Sequence, residues 1–124
     1  MLPEILAVAT GSALGGSFRF LISKALNPLF LLFPAGTFLV NISGCFILGF
    51  LNGITDRQNI FTPEIRLLFT TGFCGSFTTF STFLYESSTL LSQGKFYFLL
   101  YLFTSLATGF FAVYAGSFLA NKIL

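Results

Sequence analysis

Four long apolar segments constrain this chain more than any other feature of its sequence. The predicted spans run from about Glu4 to Lys24, about Pro34 to Gly53, about Pro63 to Leu91 and about Lys95 to Asn121. Each offers the roughly 20 residues that a helix needs to cross about 30 Å of hydrocarbon, and none alternates as barrel strands do. We therefore predict an all-α integral membrane protein with four transmembrane helices, in which residues 1–124 form one domain.

Composition agrees with this prediction and excludes several classes of site. Only 8% of the residues are charged, against about 25% in a soluble domain. Histidine is absent, which excludes histidine metal sites and histidine acid–base catalysis, and no nucleophile–base pair indicates an enzyme. Cys45 and Cys74 lie in apolar segments and are expected to behave as small hydrophobes. The start, MLPEIL, has an acidic residue where a cleavable signal peptide is basic, so we expect the first span to be retained.

The basic residues are divided evenly between the two sides of the membrane. Four spans place Arg57, Arg66 and Lys122 on one side, and Arg19, Lys24 and Lys95 on the other. Because Lys/Arg asymmetry orients membrane proteins, an even split predicts insertion in both orientations, and an antiparallel homodimer is then a natural assembly. The alternative is that properties of the helices override a weak bias.

The third span contains an unusual stretch, GFCGSFTTFSTF, at residues 72–83. Gly72 and Gly75 weaken a helix, and the hydroxyls of Thr78 and Thr79 can bond nearby backbone groups instead. We therefore predict that this helix is interrupted near residues 74–78. Carbonyls freed at membrane depth are tolerated only where they face protein, line a cavity or bind an ion.

Polar groups and aromatic rings surround the predicted interruption. Phe80 and Phe83 are three residues apart and share a helix face, and the positive edge of an aromatic ring can face an anion. The polar residues within the spans that could accompany them are Arg19, Asn41, Thr79, Thr82, Glu86, Tyr101, Thr104, Ser105 and Thr108. Each alone is more often a packing residue, but their concentration in so short a chain favours an ion pathway.

Arg19 lies some turns inside the first span, whereas Lys24 marks its end. A charge within the membrane faces a cavity or a partner by default, although an arginine near a helix end can extend to the headgroups. We expect a water-filled vestibule in which Arg19 raises the local concentration of anions.

Three stretches carry a family resemblance: GSALGGSFRF, GTFLVNISGCFILG and TTGFCGSFTTFSTF. They resemble the Fluc (CrcB-type) family of fluoride channels, and the likeness covers essentially the whole chain, although the fourth span matches only loosely. The resemblance implies passive fluoride efflux that protects the cytoplasm. It also implies an antiparallel, dual-topology homodimer with two pores in the bacterial inner membrane.

The resemblance further implies roles for individual residues. The pore would be lined by Asn41, Phe80 and Phe83, with Arg19 in the vestibule and a polar track of Thr82, Glu86, Tyr101 and Ser105. Thr79 joins this set because its spacing places it on one helix face with Thr82 and Glu86. A structural Na⁺ would be held at the dimer centre by the backbone carbonyls of Gly75 and Thr78 from both subunits.

Two transporter classes are the alternatives. A four-helix, proton-coupled multidrug transporter has a membrane-embedded Glu in its first helix and uses Trp to bind substrates. Here Glu4 is terminal and Trp is absent. A fluoride/proton antiporter differs in mechanism, and its fluoride flux would depend on a pH gradient. A purely structural bundle would show no ion flux.

Overall fold

The structure, a computed structural model, describes residues 1–124 and contains the four predicted spanning segments. The first helix, α1, is Leu2–Leu26 and is followed by a 3₁₀ turn at Asn27–Leu29; the second helix, α2, is Ala35–Arg57. The third segment covers Pro63–Gln93 and the last Lys95–Ile123, and all four are long and apolar enough to cross a membrane. The predicted all-α architecture is therefore confirmed, with helix ends a few residues beyond some of the predicted bounds.

The third span is interrupted, as predicted. It begins as an α-helix at Pro63–Leu67, widens into a π-helix at Leu68–Cys74 and closes with an α-helical turn at Gly75–Phe77. We call residues 63–77 α3. Residues 78–80 are not helical, and helix α4 follows at Ser81–Gln93.

The interruption lies at residues 78–80, a few residues beyond the predicted centre. The glycine-containing stretch stays helical because the π-helix accommodates it: the Gly75 amide reaches the carbonyl of Thr70, five residues earlier. The backbone first becomes extended at Thr78, where φ is −88° and ψ is 160°.

Local sequence signals set the ends of these helices. The Thr62 hydroxyl accepts a hydrogen bond from the Ile65 amide at 3.3 Å, which makes Thr62 the N-cap of α3, and Pro63 occupies the first turn. Gly94 separates α4 from the last helix, α5 (Lys95–Ile123), with φ of 156°, a conformation that only glycine adopts readily.

Helices α1 and α3 run parallel in close contact. A Cβ atom at Gly11 would overlap the carbonyl of Leu68, and one at Gly15 would overlap the carbonyl of Phe73. This is the small-residue packing by which membrane helices approach each other.

The α2–α5 pair is the most extensive helix contact in the protein. These helices also approach each other closely at glycines: a Cβ at Gly49 would overlap the Val113 carbonyl, and one at Gly116 would overlap the Phe46 carbonyl. The small core cluster beside it consists of Phe83, Leu90 and Tyr101.

A single copy of the chain buries few of its residues, 19 of 124. Large apolar side chains cover the outer surface of every span, which suits contact with lipid or with another copy.

Candidate functional site

A cleft of about 360 Å³ opens beside the interruption, between α2, α4 and α5. Five of the residues predicted for the pore line it: Asn41, Thr79, Phe80, Phe83 and Ser105. Most of the remaining wall is apolar and comes from α5. The sequence therefore places polar groups from three separate spans around one space, which we call the ion cleft.

Asn41 holds the interrupted backbone through two hydrogen bonds. Its Oδ1 accepts from the Thr79 amide at 2.7 Å, and its Nδ2 donates to the Thr79 carbonyl at 3.2 Å. One Nδ2 hydrogen remains for another acceptor, because a primary amide has two. Asn41 therefore combines the two roles that the sequence left open: it joins helices and retains a donor in the cleft.

Thr79 starts the second half of the broken span. Its hydroxyl accepts a hydrogen bond from the Thr82 amide at 3.2 Å, which caps the first turn of α4. Thr82 itself lies partly buried one residue into that helix. The hydroxyls at this point therefore replace helix hydrogen bonds, which explains why the chain resumes its helix so soon after the interruption.

The interruption leaves the carbonyls of Gly75 and Thr78 unpaired, the two that the resemblance implies as cation ligands, and the Phe77 carbonyl is unpaired as well. The Thr79 amide bonds to Asn41 rather than to the Gly75 carbonyl, and the Thr82 amide bonds to the Thr79 hydroxyl rather than to the Thr78 carbonyl. Neither carbonyl accepts a hydrogen bond from a side chain of this chain. Unpaired carbonyl oxygens suit a hard cation such as Na⁺, so the donor set fits the ion that the resemblance implies.

Gly75 is not required by packing within one chain. A Cβ there would meet only the Thr70 carbonyl, at 3.9 Å, and Gly75 is exposed. Gly75 and Thr78 both border a second cavity of about 480 Å³, on the α2–α3 side of the protein.

Arg19 reaches the same point from α1. Its Nε donates to the Ser76 carbonyl at 2.9 Å, and the residue is partly buried. One N–H of the guanidinium is therefore bonded to the end of α3, and the vestibule role of Arg19 stays a prediction.

The hydroxyls of α5 differ in their availability. The Thr104 hydroxyl donates to the Leu100 carbonyl, and the Thr108 hydroxyl donates to the Thr104 carbonyl, each one turn earlier. Ser105 Oγ is buried and has no hydrogen-bond partner. Of the hydroxyls predicted on this helix, Ser105 is the one that lies in the ion cleft with a free donor.

The two phenylalanines occupy different environments. Their ring centroids are 6.3 Å apart with planes inclined at 46°. Phe83 is 4% exposed and packs edge-to-face on Tyr101 at 5.1 Å, whereas Phe80 is 69% exposed. One chain thus surrounds the ring of Phe83 and leaves the ring of Phe80 uncovered.

Glu86 and Tyr101 do not line the ion cleft but form a hydrogen-bonded group behind Phe83. The Tyr101 hydroxyl donates to Glu86 Oε2 at 3.0 Å, and the Thr37 hydroxyl donates to Oε1 at 2.7 Å. Both Tyr101 and Thr37 are fully buried.

Two residues of this group were missed in the sequence. Thr37 lies one turn before Asn41 on the same face of α2, and that spacing of four was the signal that could have revealed it. Asn27 gave no such signal: its Oδ1 accepts from the amides of Gly36 and Thr37 at 2.8 and 3.1 Å, and its Nδ2 donates to the Thr37 hydroxyl at 3.3 Å.

Comparison with known proteins bears on this arrangement. A family model described as "CrcB-like protein, Camphor Resistance (CrcB)" matches residues 6–117. The chain belongs to the CrcB family. Three bacterial relatives carry the name "Fluoride-specific ion channel FluC". The protein of Chlorobium luteolum is 46% identical over 114 residues, covering 91% of this chain and 88% of its own length. That of Prosthecochloris aestuarii is 44% identical over 118 residues, covering 94% and 92%. That of Bacteroides fragilis is 41% identical over 125 residues, covering 96% and 97%.

Membership of the CrcB family confirms the resemblance seen in the sequence. Together with four spanning helices and bacterial relatives, it identifies a bacterial multi-pass membrane protein. The relatives of this CrcB protein are named as channels and not as enzymes.

Proposed function

We propose that this protein is a fluoride-selective channel through which F⁻ leaves the cytoplasm passively. The observation that carries the proposal is the ion cleft, where the Asn41 amide, the unpartnered Ser105 hydroxyl and the Phe80 and Phe83 rings face one space. A small, strongly hydrated anion needs donors to replace its water. The names of the relatives also specify fluoride as the ion.

The driving force follows from the chemistry of hydrogen fluoride. HF is a weak acid that crosses membranes uncharged and dissociates in a near-neutral cytoplasm. An inside-negative potential then favours exit of the trapped F⁻ by about 2.3 kcal/mol per 100 mV. Passive conduction through the inner membrane would therefore protect the cell without a pump.

Fluoride flux from liposomes tests the proposal directly. We expect reconstituted protein to release F⁻ down its gradient at equal internal and external pH, and to release Cl⁻ at least tenfold more slowly, because discrimination of about 1.4 kcal/mol between the ions is a tenfold rate difference. An ion-selective electrode measures both. Comparable release of the two halides would exclude a fluoride-selective channel, and release that requires a pH gradient would indicate the antiporter instead.

The assembly is part of the proposal, because one copy leaves the site incomplete. Phe80 is 69% exposed beside the ion cleft, and the free carbonyls of Gly75 and Thr78 lie next to exposed backbone at Gly75. A second copy related by a two-fold axis would cover Phe80 and double the carbonyls. With the even split of basic residues, these features favour an antiparallel homodimer.

The central Na⁺ would be held by the carbonyls of Gly75 and Thr78. It would supply a positive charge that joins the unpaired backbone groups of two subunits at membrane depth. The Thr78 hydroxyl donates to the Cys74 carbonyl at 2.9 Å, so this side chain is engaged within its own helix and the carbonyl is the ligand.

Topology provides a second expected result. A reporter fused to the C-terminus should be detected in similar amounts on both sides of the membrane, because neither side has an excess of basic residues. Adding two or three Lys to the loop at residues 58–62 should move most of the signal to one side. A one-sided signal from the unaltered sequence would contradict dual topology.

A further inference from the structure

Arg19 makes a contact that a vestibule residue does not need. Its Nε donates to the carbonyl of Ser76, the residue between Gly75 and Phe77 in the last turn of α3. The Ser76 carbonyl is therefore already bonded, whereas the carbonyls of Gly75 and Thr78 are free. Arg19 is bonded within the same short row of carbonyl groups that the proposed cation would use.

A guanidinium at this place has an electrostatic consequence. Arginine stays ionised under all ordinary conditions, and this one is partly buried, where screening by water is weaker than at the surface. It repels a nearby cation in proportion to the charge of that cation. The repulsion energy of a divalent ion is therefore twice that of a monovalent ion at the same distance.

The ligands themselves carry no negative charge to offset that repulsion. Carbonyl groups are neutral, and the chain has no cluster of three or more acidic, His or Cys side chains. Ca²⁺ sites ordinarily include carboxylates, and Mg²⁺ usually binds through one or two of them. Neutral ligands beside a fixed positive charge favour an ion of charge +1.

We propose that Arg19 sets the charge selectivity of the carbonyl site, so that the site accepts a monovalent cation and rejects Ca²⁺ and Mg²⁺. The proposal rests on the proposed function, since it takes Gly75 and Thr78 as the cation ligands. It differs from the vestibule role, in which Arg19 attracts anions and has no effect on which cation binds.

Stability of the purified protein tests this without measuring flux. The protein is prepared in N-methylglucamine chloride and titrated with NaCl or CaCl₂ at constant ionic strength, and thermal unfolding is followed. An ion that binds only the folded protein raises the unfolding temperature in a way that gives its apparent Kd. We expect Na⁺ to stabilise the wild type and Ca²⁺ to have little effect.

The informative variant is Arg19→Gln, which keeps N–H donors and removes the charge. Its apparent Kd for Ca²⁺ should fall by at least roughly tenfold relative to that for Na⁺, because the repulsion that the substitution removes is twice as large for a divalent ion. Arg57→Gln is the matched control, because Arg57 is exposed at the end of α2 and does not border the cavity that Gly75 and Thr78 line. It should respond to both ions as the wild type does.

Arg19→Lys keeps the charge, so it should still reject Ca²⁺, and it tests the proposal even if Arg19→Gln does not fold. Binding of Ca²⁺ by Arg19→Lys, an unchanged ion preference in Arg19→Gln, or an equal gain in Arg57→Gln would each overturn the proposal. A wild type that conducts F⁻ but gains no stability from Na⁺ would also overturn it, while leaving the channel function intact.

Discussion

Replacing Phe80 with Ile should abolish most fluoride flux while leaving the fold intact. The Phe80 ring is 69% exposed in one chain and borders the ion cleft, so its loss removes few contacts within the subunit. Isoleucine keeps an apolar group but lacks the positive ring edge that can face an anion. If the ring stabilises the ion by about 1.4 kcal/mol or more, flux through Phe80→Ile dimers should fall at least tenfold.

A matched control separates a role in the pore from general loss of an aromatic surface. Phe111 is 70% exposed, almost the same as Phe80, but does not border the ion cleft. Phe111→Ile should conduct normally. Fluoride efflux is measured only on protein that elutes at the same volume as the wild type in size-exclusion chromatography. Wild-type flux through Phe80→Ile would refute the idea that this ring contacts the ion.

Phe83→Ile is expected to lower both the stability of the protein and its fluoride flux. Phe83 is 4% exposed and packs edge-to-face on Tyr101, so its replacement should cost about 1–3 kcal/mol in the free energy of unfolding. Its flux should fall as well, because its ring also borders the ion cleft. The difference in burial makes Phe80 the cleaner probe.

The existence of the break was predictable from sequence, but its position was not. Glycines and threonines in an apolar span indicate a weakened helix. The position of the break depends on a π-helix at Leu68–Cys74, which keeps the chain helical through Phe77. That π-helix lies against the close contact between α1 and α3 at Gly11 and Gly72, a tertiary constraint that periodicity along one span does not reveal.

The identity of the polar residues was also predictable, but not their partners. Asn41 and Thr79 stood out because an amide and a hydroxyl are rare in an apolar span. That they bond each other could not be inferred, because they are 38 residues apart in the chain. Likewise Glu86 was placed on the ion path, whereas its two carboxylate oxygens accept hydrogen bonds from Thr37 and Tyr101. Whether it also meets the ion stays a prediction.

The same group couples the core to the ion cleft. Tyr101 donates to Glu86 and packs on Phe83, so the carboxylate fixes the tyrosine that supports the ring. Thr37, at the start of α2, donates to the other carboxylate oxygen, and Asn27 in the first connection donates to the Thr37 hydroxyl. A ring that must present its edge to an ion benefits from such support, because reorientation during conduction would weaken the contact.

Asn41→Asp should reduce fluoride efflux at least as much as Phe80→Ile does. Aspartate keeps the oxygen that accepts from the Thr79 amide, but it replaces the group that donates to the Thr79 carbonyl. It also places a negative charge beside the path of an anion, where a charge at membrane depth is poorly screened. We expect F⁻ efflux to fall by roughly a hundredfold or more, since a hydrogen bond to a charged group contributes about 1.5–3 kcal/mol and repulsion adds to its loss.

Two further variants separate the effect of the added negative charge from the effect of losing the Asn41 donor. Asn52→Asp adds the same charge near the end of α2, about three turns away and outside the ion cleft, and should leave efflux within about twofold of wild type. Asn41→Ser keeps a neutral donor and should retain more flux than Asn41→Asp. Dimers of Asn41→Asp that release F⁻ as fast as those of Asn52→Asp would show that the Asn41 amide serves only to hold the interrupted helix.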